Sequence, residues 1–253
     1  MGFLSRFGVG GPTVDLVLDT PQTTPGALLT GTLNMTGGKD AAEIEQVKVM
    51  LESVVEVERG DEEWRETVTF ATQPVSGPMT LQANQPFQAR VSLQVPWEAP
   101  ITTVGGWQLK GMQVSVRTQV DIKGAVDPKD RDPVQITPLP VQQAILDGLA
   151  SRGWRFKGAD LEKGRLPGST LPFYQELEFV PSGYGGRIRE LEVTFLADPQ
   201  QVQVVLEADR RGGFLSAGGD ALARFGVPHH AIDAHMIGNA LQEQISRLEG
   251  RGW

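Results

Sequence analysis

The chain has 253 residues, of which 40% are hydrophobic and 21% charged, values typical of a globular protein long enough for two domains. It contains no cysteine, which excludes disulfides, thiolate catalysis and cysteine-ligated metal centres. Its formal net charge of −8 argues against a nucleic-acid partner, because binding to a phosphate backbone depends largely on lysine and arginine.

The N-terminal segment 1–11 has too few apolar residues for a signal peptide, and no run approaches the ~20 apolar residues of a membrane helix. We therefore expect a cytoplasmic protein with no integral membrane segment. Phe3, Leu4 and Phe7 are compatible with contact to a bilayer surface or with docking onto the edge of the first domain.

Short alternating strands recur through the first half. Apolar and polar residues alternate in the runs 27–38, 44–58 and 87–95, so each run presents one face to a core and one to water. Prolines and glycines punctuate the intervals between them. This pattern predicts an antiparallel two-sheet β-sandwich over residues 1–132.

The stretch 118–139 organises the chain, because a strand ends in a turn crowded with charges and a second extended run follows. We interpret it as a hinge between two domains. Two alternatives remain open, a solvated turn with weak ion pairs or a partly buried network that clamps the domains. The hinge candidates are Asp121, Lys123, Asp127, Lys129, Asp130, Arg131 and Asp132.

The second half begins with a short helix in 141–154 and continues with strands, which predicts a second β-sandwich domain over residues 133–228. Residues 229–253 are predicted to form a C-terminal amphipathic helix and tail, with an apolar stripe of Ile232, Met236, Ala240, Leu241, Ile245 and Leu248. Such a helix docks on its own domain, pairs with a second copy or binds a partner.

Two groups of residues suggest other functions. His229, His230 and His235 lie with Asp233 at the start of the tail helix, and the spacing of His229 and Asp233 is compatible with a metal site, although a polar helix start explains the same residues. A second group, Trp64, Trp97 and Trp107, suggests a sugar-stacking surface or aromatic packing within the sandwich.

Several stretches resemble a known family. PGALLTGTLNMTGG at Pro25 to Gly38, VPWEAPIT at Val95 to Thr102 and DIKGAVDPKDRD at Asp121 to Asp132 are similar to segments of the bacterial sporulation-control protein family, and so are the runs 180–196 and 206–213. The resemblance implies an arrestin-like fold of two tandem β-sandwiches. It also implies a regulatory or scaffolding role rather than catalysis.

The leading hypothesis is a non-enzymatic regulator of bacterial development or stress response that binds protein partners, with no cofactor and no catalytic residues. Homo-oligomers through the tail helix or edge strands are compatible with it. The alternatives are a metal-dependent enzyme that uses the cluster of His229, His230, Asp233 and His235, and a carbohydrate-binding module.

Overall fold

The computed structural model describes residues 10–60, 62–124, 129–183, 187–210 and 221–250, with the side chains of Lys129, Arg210 and Ala221 excepted. Phe3, Leu4, Phe7 and Asp127 therefore lie outside the described residues, as does the side chain of Lys129.

Strands dominate the described chain. In chain order the elements are β1 (Thr13–Leu18), β2 (Gln22–Thr23), β3 (Leu28–Thr36), β4 (Ala42–Arg59), β5 (Glu62–Ser76), β6 (Met79–Leu81), β7 (Pro86–Gln94), β8 (Thr103–Val104), β9 (Trp107–Gln108), β10 (Val114–Ile122), β11 (Lys129–Ile136), α1 (Pro140–Ser151), β12 (Trp154–Lys163), β13 (Phe173–Pro181), β14 (Ile188–Ala197), β15 (Gln201–Arg210), β16 (Ala221–Pro228) and α2 (Ala234–Leu248). The prediction of a mostly β chain with a short helix in the second half and a C-terminal helix is confirmed.

The chain divides into two compact units, each built from three segments. The first unit comprises Met1–Val54, Thr67–Pro96 and Gln113–Ile136, and the second comprises Val55–Glu66, Trp97–Met112 and Thr137–Trp253. The sequence predicts contiguous domains with boundaries after residues 132 and 228, so the observed division differs from the prediction. The physical reason is that β4 and β5 are long strands that run from one unit into the other, which no local composition signals.

Two sheets build the first unit. One has the order β1-β3-β7, with antiparallel pairs such as Leu16 opposite Leu33. The other places β10 between the first part of β4 and β11, with β6 paired to β4 and β2 paired to β11. Alternate side chains of both sheets are fully buried, among them Leu33, Val49 and Val120, which is the pattern of a sandwich core.

The stretch interpreted as a hinge joins two strands of one sheet. β10 and β11 pair antiparallel from Val114 opposite Val134 to Gln119 opposite Lys129, and both strands lie in the first unit. A boundary after Asp132 would cut β11. The domain boundaries and an interdomain role for the charges of this stretch stay predictions.

In the second unit, a sheet runs in the order β12-β13-β14-β15-β16, and the end of β4 adds a short parallel contact at Glu56 and Glu162. The two helices pack on each other, α1 also packs on β12, and α2 also packs on β15 and β16. Gly148 permits the close approach of the helices, because a Cβ there would lie 2.9 Å from Cδ1 of Leu241.

The tail helix buries a slightly different stripe from the predicted one. Asp233 caps α2 by accepting a hydrogen bond from the Met236 backbone N–H at 2.8 Å, so the helix starts at Ala234. Its buried apolar residues are Ile237, Leu241, Ile245 and Leu248. The predicted stripe members Ile232 and Met236 are exposed instead.

Candidate functional site

An aromatic groove is the candidate site, and all its walls belong to the second unit. It has a volume of about 490 Å³. It is lined by the β8–β9 hairpin and the residues after it, by one face of α1, by the start of β12 and by the later part of β13. Cavities of several hundred Å³ with mostly apolar walls are typical of binding sites. We call this feature the aromatic groove.

A tight hairpin presents Trp107 at one wall. Gly105 and Gly106 join β8 to β9 with φ of 58° and 83°, and positive φ at both central residues is what a type I′ turn requires. The segment after it is fixed, because the Leu109 N–H donates to the Thr102 carbonyl at 2.8 Å. The Trp107 side chain nevertheless stays 80% exposed.

The second wall is one face of α1. Pro140 occupies its first turn, and the Leu139 N–H donates to Oε1 of Gln142 at 2.8 Å, which fixes where the helix begins. Side chains of helical spacing then face the groove, namely Gln143, Leu146, Asp147 and Ala150. The opposite face of the helix, with Ile145 and Leu149, is fully buried.

Strands β12 and β13 supply the remaining aromatic residues. Gly153, with φ of 80°, follows α1 and leads directly into Trp154 at the start of β12. Phe156 pairs with Phe179 across the strands, and their rings meet edge to face with centroids 5.7 Å apart. Phe179 is buried, whereas Phe156 is 39% exposed.

Two ionisable side chains lie in the groove lining, Lys110 and Asp147. Nε2 of Gln143 donates to Oδ1 of Asp147 at 2.8 Å, so this carboxylate already has a partner. Lys110 is exposed, and within the described part of the chain it makes no ion pair or side-chain hydrogen bond. The groove thus offers a large apolar surface with a free ammonium group at its margin.

A carboxylate ladder lies on the same sheet. Four strands of the second unit each carry a leucine followed by a glutamate, and the four leucines are buried. Cross-strand pairs bring acidic groups opposite one another, such as Asp160 with Glu176 and Glu178 with Glu192. The carboxylate ladder comprises Asp160, Glu162, Glu176, Glu178, Glu192 and Glu207.

Burial and mutual repulsion raise the pKa values in the ladder. Burial, reinforced by Glu192, raises the pKa of Glu176 to about 8. Burial with Asp160 raises the pKa of Glu162 to about 7, and burial with Glu207 raises that of Glu192 to about 7. The pKa of Asp160 rises to about 6 for the same reasons, with Glu178 as its main charged neighbour.

Protons and one lysine relieve this repulsion. Nζ of Lys157 lies 3.1 Å from Glu178 and 2.6 Å from Glu190. Ligand oxygens of Asp160, Glu162 and Glu176 lie within 4.8 Å of one another, so among the described residues this trio could hold a cation. A cation at this trio would compete with protons near neutral pH, because the pKa of each of the three carboxyl groups is raised.

Two of the described hinge candidates, Asp121 and Arg131, form ion pairs within the first unit. Nζ of Lys48 lies 3.1 Å from Asp121, and Arg131 lies 2.6 Å from Glu52, a carboxylate only 2% exposed. Arg117 binds the other oxygen of Glu52 at 2.9 Å. The two arginines therefore neutralise a buried glutamate at the centre of the sheet.

The remaining hinge candidates differ in environment. Asp130 accepts a hydrogen bond from the Leu16 backbone N–H at 2.8 Å and so covers part of the edge of β1. Burial, reinforced by Asp130 and Asp15, raises the pKa of Asp132 to about 7. Lys123 is exposed.

Two of the histidine candidates, His229 and His235, make side-chain contacts within the second unit. Nε2 of His229 lies 2.7 Å from the Asp198 carbonyl, and its ring packs 5.3 Å from that of Trp97. Nε2 of His235 lies 3.1 Å from Nδ2 of Asn239, and Asp233 caps the helix. His229, Asp233 and His235 therefore have structural partners and do not form part of the carboxylate trio.

Sequence reasoning found one groove residue, Trp107, and missed the others. The three tryptophans of the predicted sugar-stacking surface differ in setting: Trp107 lines the groove, Trp97 packs on His229, and Trp64 is a partly exposed residue of β5. Trp154 and Phe156 were detectable as an aromatic pair with strand spacing directly after the α1 stop signal.

Two strand-rich units with two helices define a protein of arrestin-like architecture. The chain belongs to the SpoOM protein family, whose family model matches residues 1–212. The sporulation-control protein Spo0M of Bacillus subtilis (strain 168) is 32% identical over 206 residues, which cover 81% of this chain and 78% of that protein. The resemblance to the sporulation-control family is confirmed.

The comparison with solved structures agrees. The crystal structure of Spo0M from Bacillus subtilis superposes with a TM-score of 0.84 at 29% identity and covers 95% of this chain and 100% of that one. Among the described helices, none has the length and apolar character needed to cross a membrane.

Proposed function

We propose that this protein is a non-enzymatic regulator in bacterial sporulation or stress response, and that it acts in the cytoplasm by binding other proteins through the aromatic groove. Its similarity to Spo0M of Bacillus subtilis supports the regulatory role. The exposed Trp107 side chain beside a groove of about 490 Å³ is the observation that carries the binding role.

The physical argument rests on what such a groove does in water. Exposed rings bury large apolar areas when a partner covers them, and tryptophan is among the residues that dominate protein interfaces. The groove walls are a hairpin, a helix and two strands, whose positions are set by their own hydrogen bonds. A preformed surface of this kind loses little entropy when a partner binds.

The chemistry of the groove supports binding rather than catalysis. Acid–base or nucleophilic catalysis needs converging reactive groups with perturbed pKa values. The lining supplies one lysine, one aspartate and two glutamines, and its other side chains are apolar or aromatic.

A photo-crosslinking amino acid at position 107, with position 64 as the control, tests the proposal in the source bacterium. Trp64 is also a partly exposed tryptophan of the second unit but does not line the groove. We expect discrete crosslinked protein partners from position 107 and none of these from position 64. Equal crosslinking from both positions, or none from position 107, would contradict the proposal.

A complementation experiment links the groove to regulation. In a strain that lacks the gene, the double variant Trp107→Ala/Phe156→Ala should fail to restore the wild-type frequency of heat-resistant spores or stress survival. The matched control Ile232→Ala/Met236→Ala removes two exposed apolar side chains of the second unit outside the groove. Restoration by the groove variant at normal protein level would overturn the assignment.

A further inference from the structure

We propose that the aromatic groove selects an acidic amphipathic segment of a partner protein, one that inserts a bulky apolar side chain and places a carboxylate beside it on Lys110. This inference rests on the proposed function and adds to it the chemistry of the partner. The juxtaposition that carries it is a free ammonium group at the margin of an aromatic and aliphatic cavity.

The shape of the groove favours a protein segment over a small ligand. Leu146, Leu177 and Phe179 are buried and form its apolar depth. Trp107, Phe156 and Ala150 stand exposed around it. A volume of about 490 Å³ suits one or two large side chains, whereas the exposed rings around it are covered only by the chain that carries those side chains.

The two charges of the lining are not equivalent. Asp147 accepts a hydrogen bond from Gln143 at 2.8 Å within α1, which satisfies part of its demand for donors. Lys110 has three donors and no such partner among the described residues. The Lys110 ammonium can therefore accommodate a hydrogen-bond acceptor from a partner, and a carboxylate is the strongest acceptor that a protein partner offers.

The net charge of the chain does not prevent binding of an acidic segment. The formal charge of −8 is spread over the whole molecule, and six acidic residues of the second unit lie in the carboxylate ladder on the other face of the sheet. Charges separated by more than roughly 8 Å are largely screened at physiological ionic strength. Lys110 and Asp147 are then the charges within the groove lining, and of these two Lys110 is the one without a partner among the described residues, so it sets the expected preference for a carboxylate.

Two synthetic peptides without tryptophan test the inference, because Trp107 and Trp154 both line the groove and their emission reports binding. Both peptides carry a central Phe-Leu pair, flanked by glutamates in one and by lysines in the other. We expect a saturable emission change with the glutamate peptide, at an affinity at least about tenfold higher than that of the lysine peptide.

Charge reversal supplies the matched control. Lys110→Glu should remove or reverse the preference for glutamate, whereas Lys39→Glu, at an exposed lysine of the first unit outside the groove, should leave it unchanged. Equal binding of both peptides, a preference for lysine, no binding of either, or an unchanged preference in Lys110→Glu would overturn the inference.

Binding of sodium dodecanoate tests whether the groove accepts a small amphiphile instead of a protein segment. A saturable emission change with dodecanoate alone would assign the groove to a small ligand and overturn the inference. The failures are distinguishable, because crosslinking at position 107 can succeed while the peptides show no charge preference. In that case the proposed function stands and only the acidic partner chemistry fails.

Discussion

In the second unit, the same strands present an aromatic surface on one face of the sheet and an acidic surface on the other. One face of β12 and β13 presents Phe156 and Phe179 to the aromatic groove, and the other presents Asp160 and Glu176 to the carboxylate ladder. A β-bulge between Phe156 and Gly158 makes this possible, because the extra residue, Lys157, shifts the alternation of the strand. Each surface is unfavourable by itself, one because its rings are exposed to water and the other because its like charges are partly buried and repel one another.

The comparison shows that the two surfaces are held by the same buried layer. Leu161, Leu177, Leu191 and Leu206 alternate with the acidic residues and are at most 1% exposed. Their burial on one face provides hydrophobic stabilisation that offsets the repulsion on the other. Variants of one face should therefore affect stability very differently from variants of the other.

The largest expected effect is that of Leu177→Ala, which removes a 1% exposed side chain beneath the groove. We expect a loss of roughly 2–5 kcal/mol in the free energy of unfolding, measured by urea denaturation, because the substitution leaves a cavity in the core. Leu222→Ala, at a 45% exposed leucine of β16, is the control and should change it by less than about 0.5 kcal/mol. Similar losses in both variants would contradict the buried layer.

The pH dependence of stability is the next effect, and it tests the carboxylate ladder. Glu176, Glu162 and Glu192 have folded-state pKa values raised to about 8, 7 and 7 from 4.5. The folded state therefore binds more protons than the unfolded state between those limits, so stability is greatest at the acidic end and is lost as the pH rises from about 4.5 to 8. The urea midpoint should be higher at pH 5 than at pH 8.

Asp132 in the first unit should also lower the stability as the pH rises, since its pKa is raised to about 7. Asp19 acts oppositely, because its pKa is lowered to about 2 by Arg90 and Thr30, and its stabilising effect is lost only at lower pH. A urea midpoint that rises from pH 5 to pH 8 would show that the ladder is not repulsive.

Much of the fold follows from the sequence, because alternation and punctuation report local structure. The mostly β character and both helices follow from residue patterns at short range. The two faces of β12 do not, since strict alternation from Trp154 to Glu162 would place Phe156 and Asp160 on one face. The bulge that separates them depends on pairing with β13, a tertiary feature without a local signal.

The candidate site likewise has parts that are visible in the sequence and parts that depend on tertiary contacts. Trp107 stands out in the sequence, but the groove needs the β8–β9 hairpin, α1 and β12 to be adjacent, which alternation cannot report. The carboxylate ladder had a visible sequence signal, the repeated leucine-glutamate pair at 161–162, 177–178, 191–192 and 206–207. Its meaning depends on strand order and register, which place these pairs side by side.

Neutralising one member of the carboxylate ladder should isolate its effect on the pH dependence of stability. Glu176→Gln removes a charge directly opposite Asp160, so we expect the free energy of unfolding at pH 8 to rise by roughly 0.5–1 kcal/mol. At pH 5 the wild-type side chain is protonated in the folded state, and the gain should largely vanish. Glu243→Gln, at an exposed residue of α2, is the control and should show no such pH dependence.

The smallest expected effect is that of Trp107→Ala on the stability of the free protein. The side chain is 80% exposed at the hairpin, so its removal should change the free energy of unfolding by less than about 0.5 kcal/mol. Partner crosslinking and peptide binding through the groove should nevertheless be lost. A large loss of stability would mean that Trp107 packs against the protein itself, and the groove would then be a structural contact rather than an exposed surface for a partner.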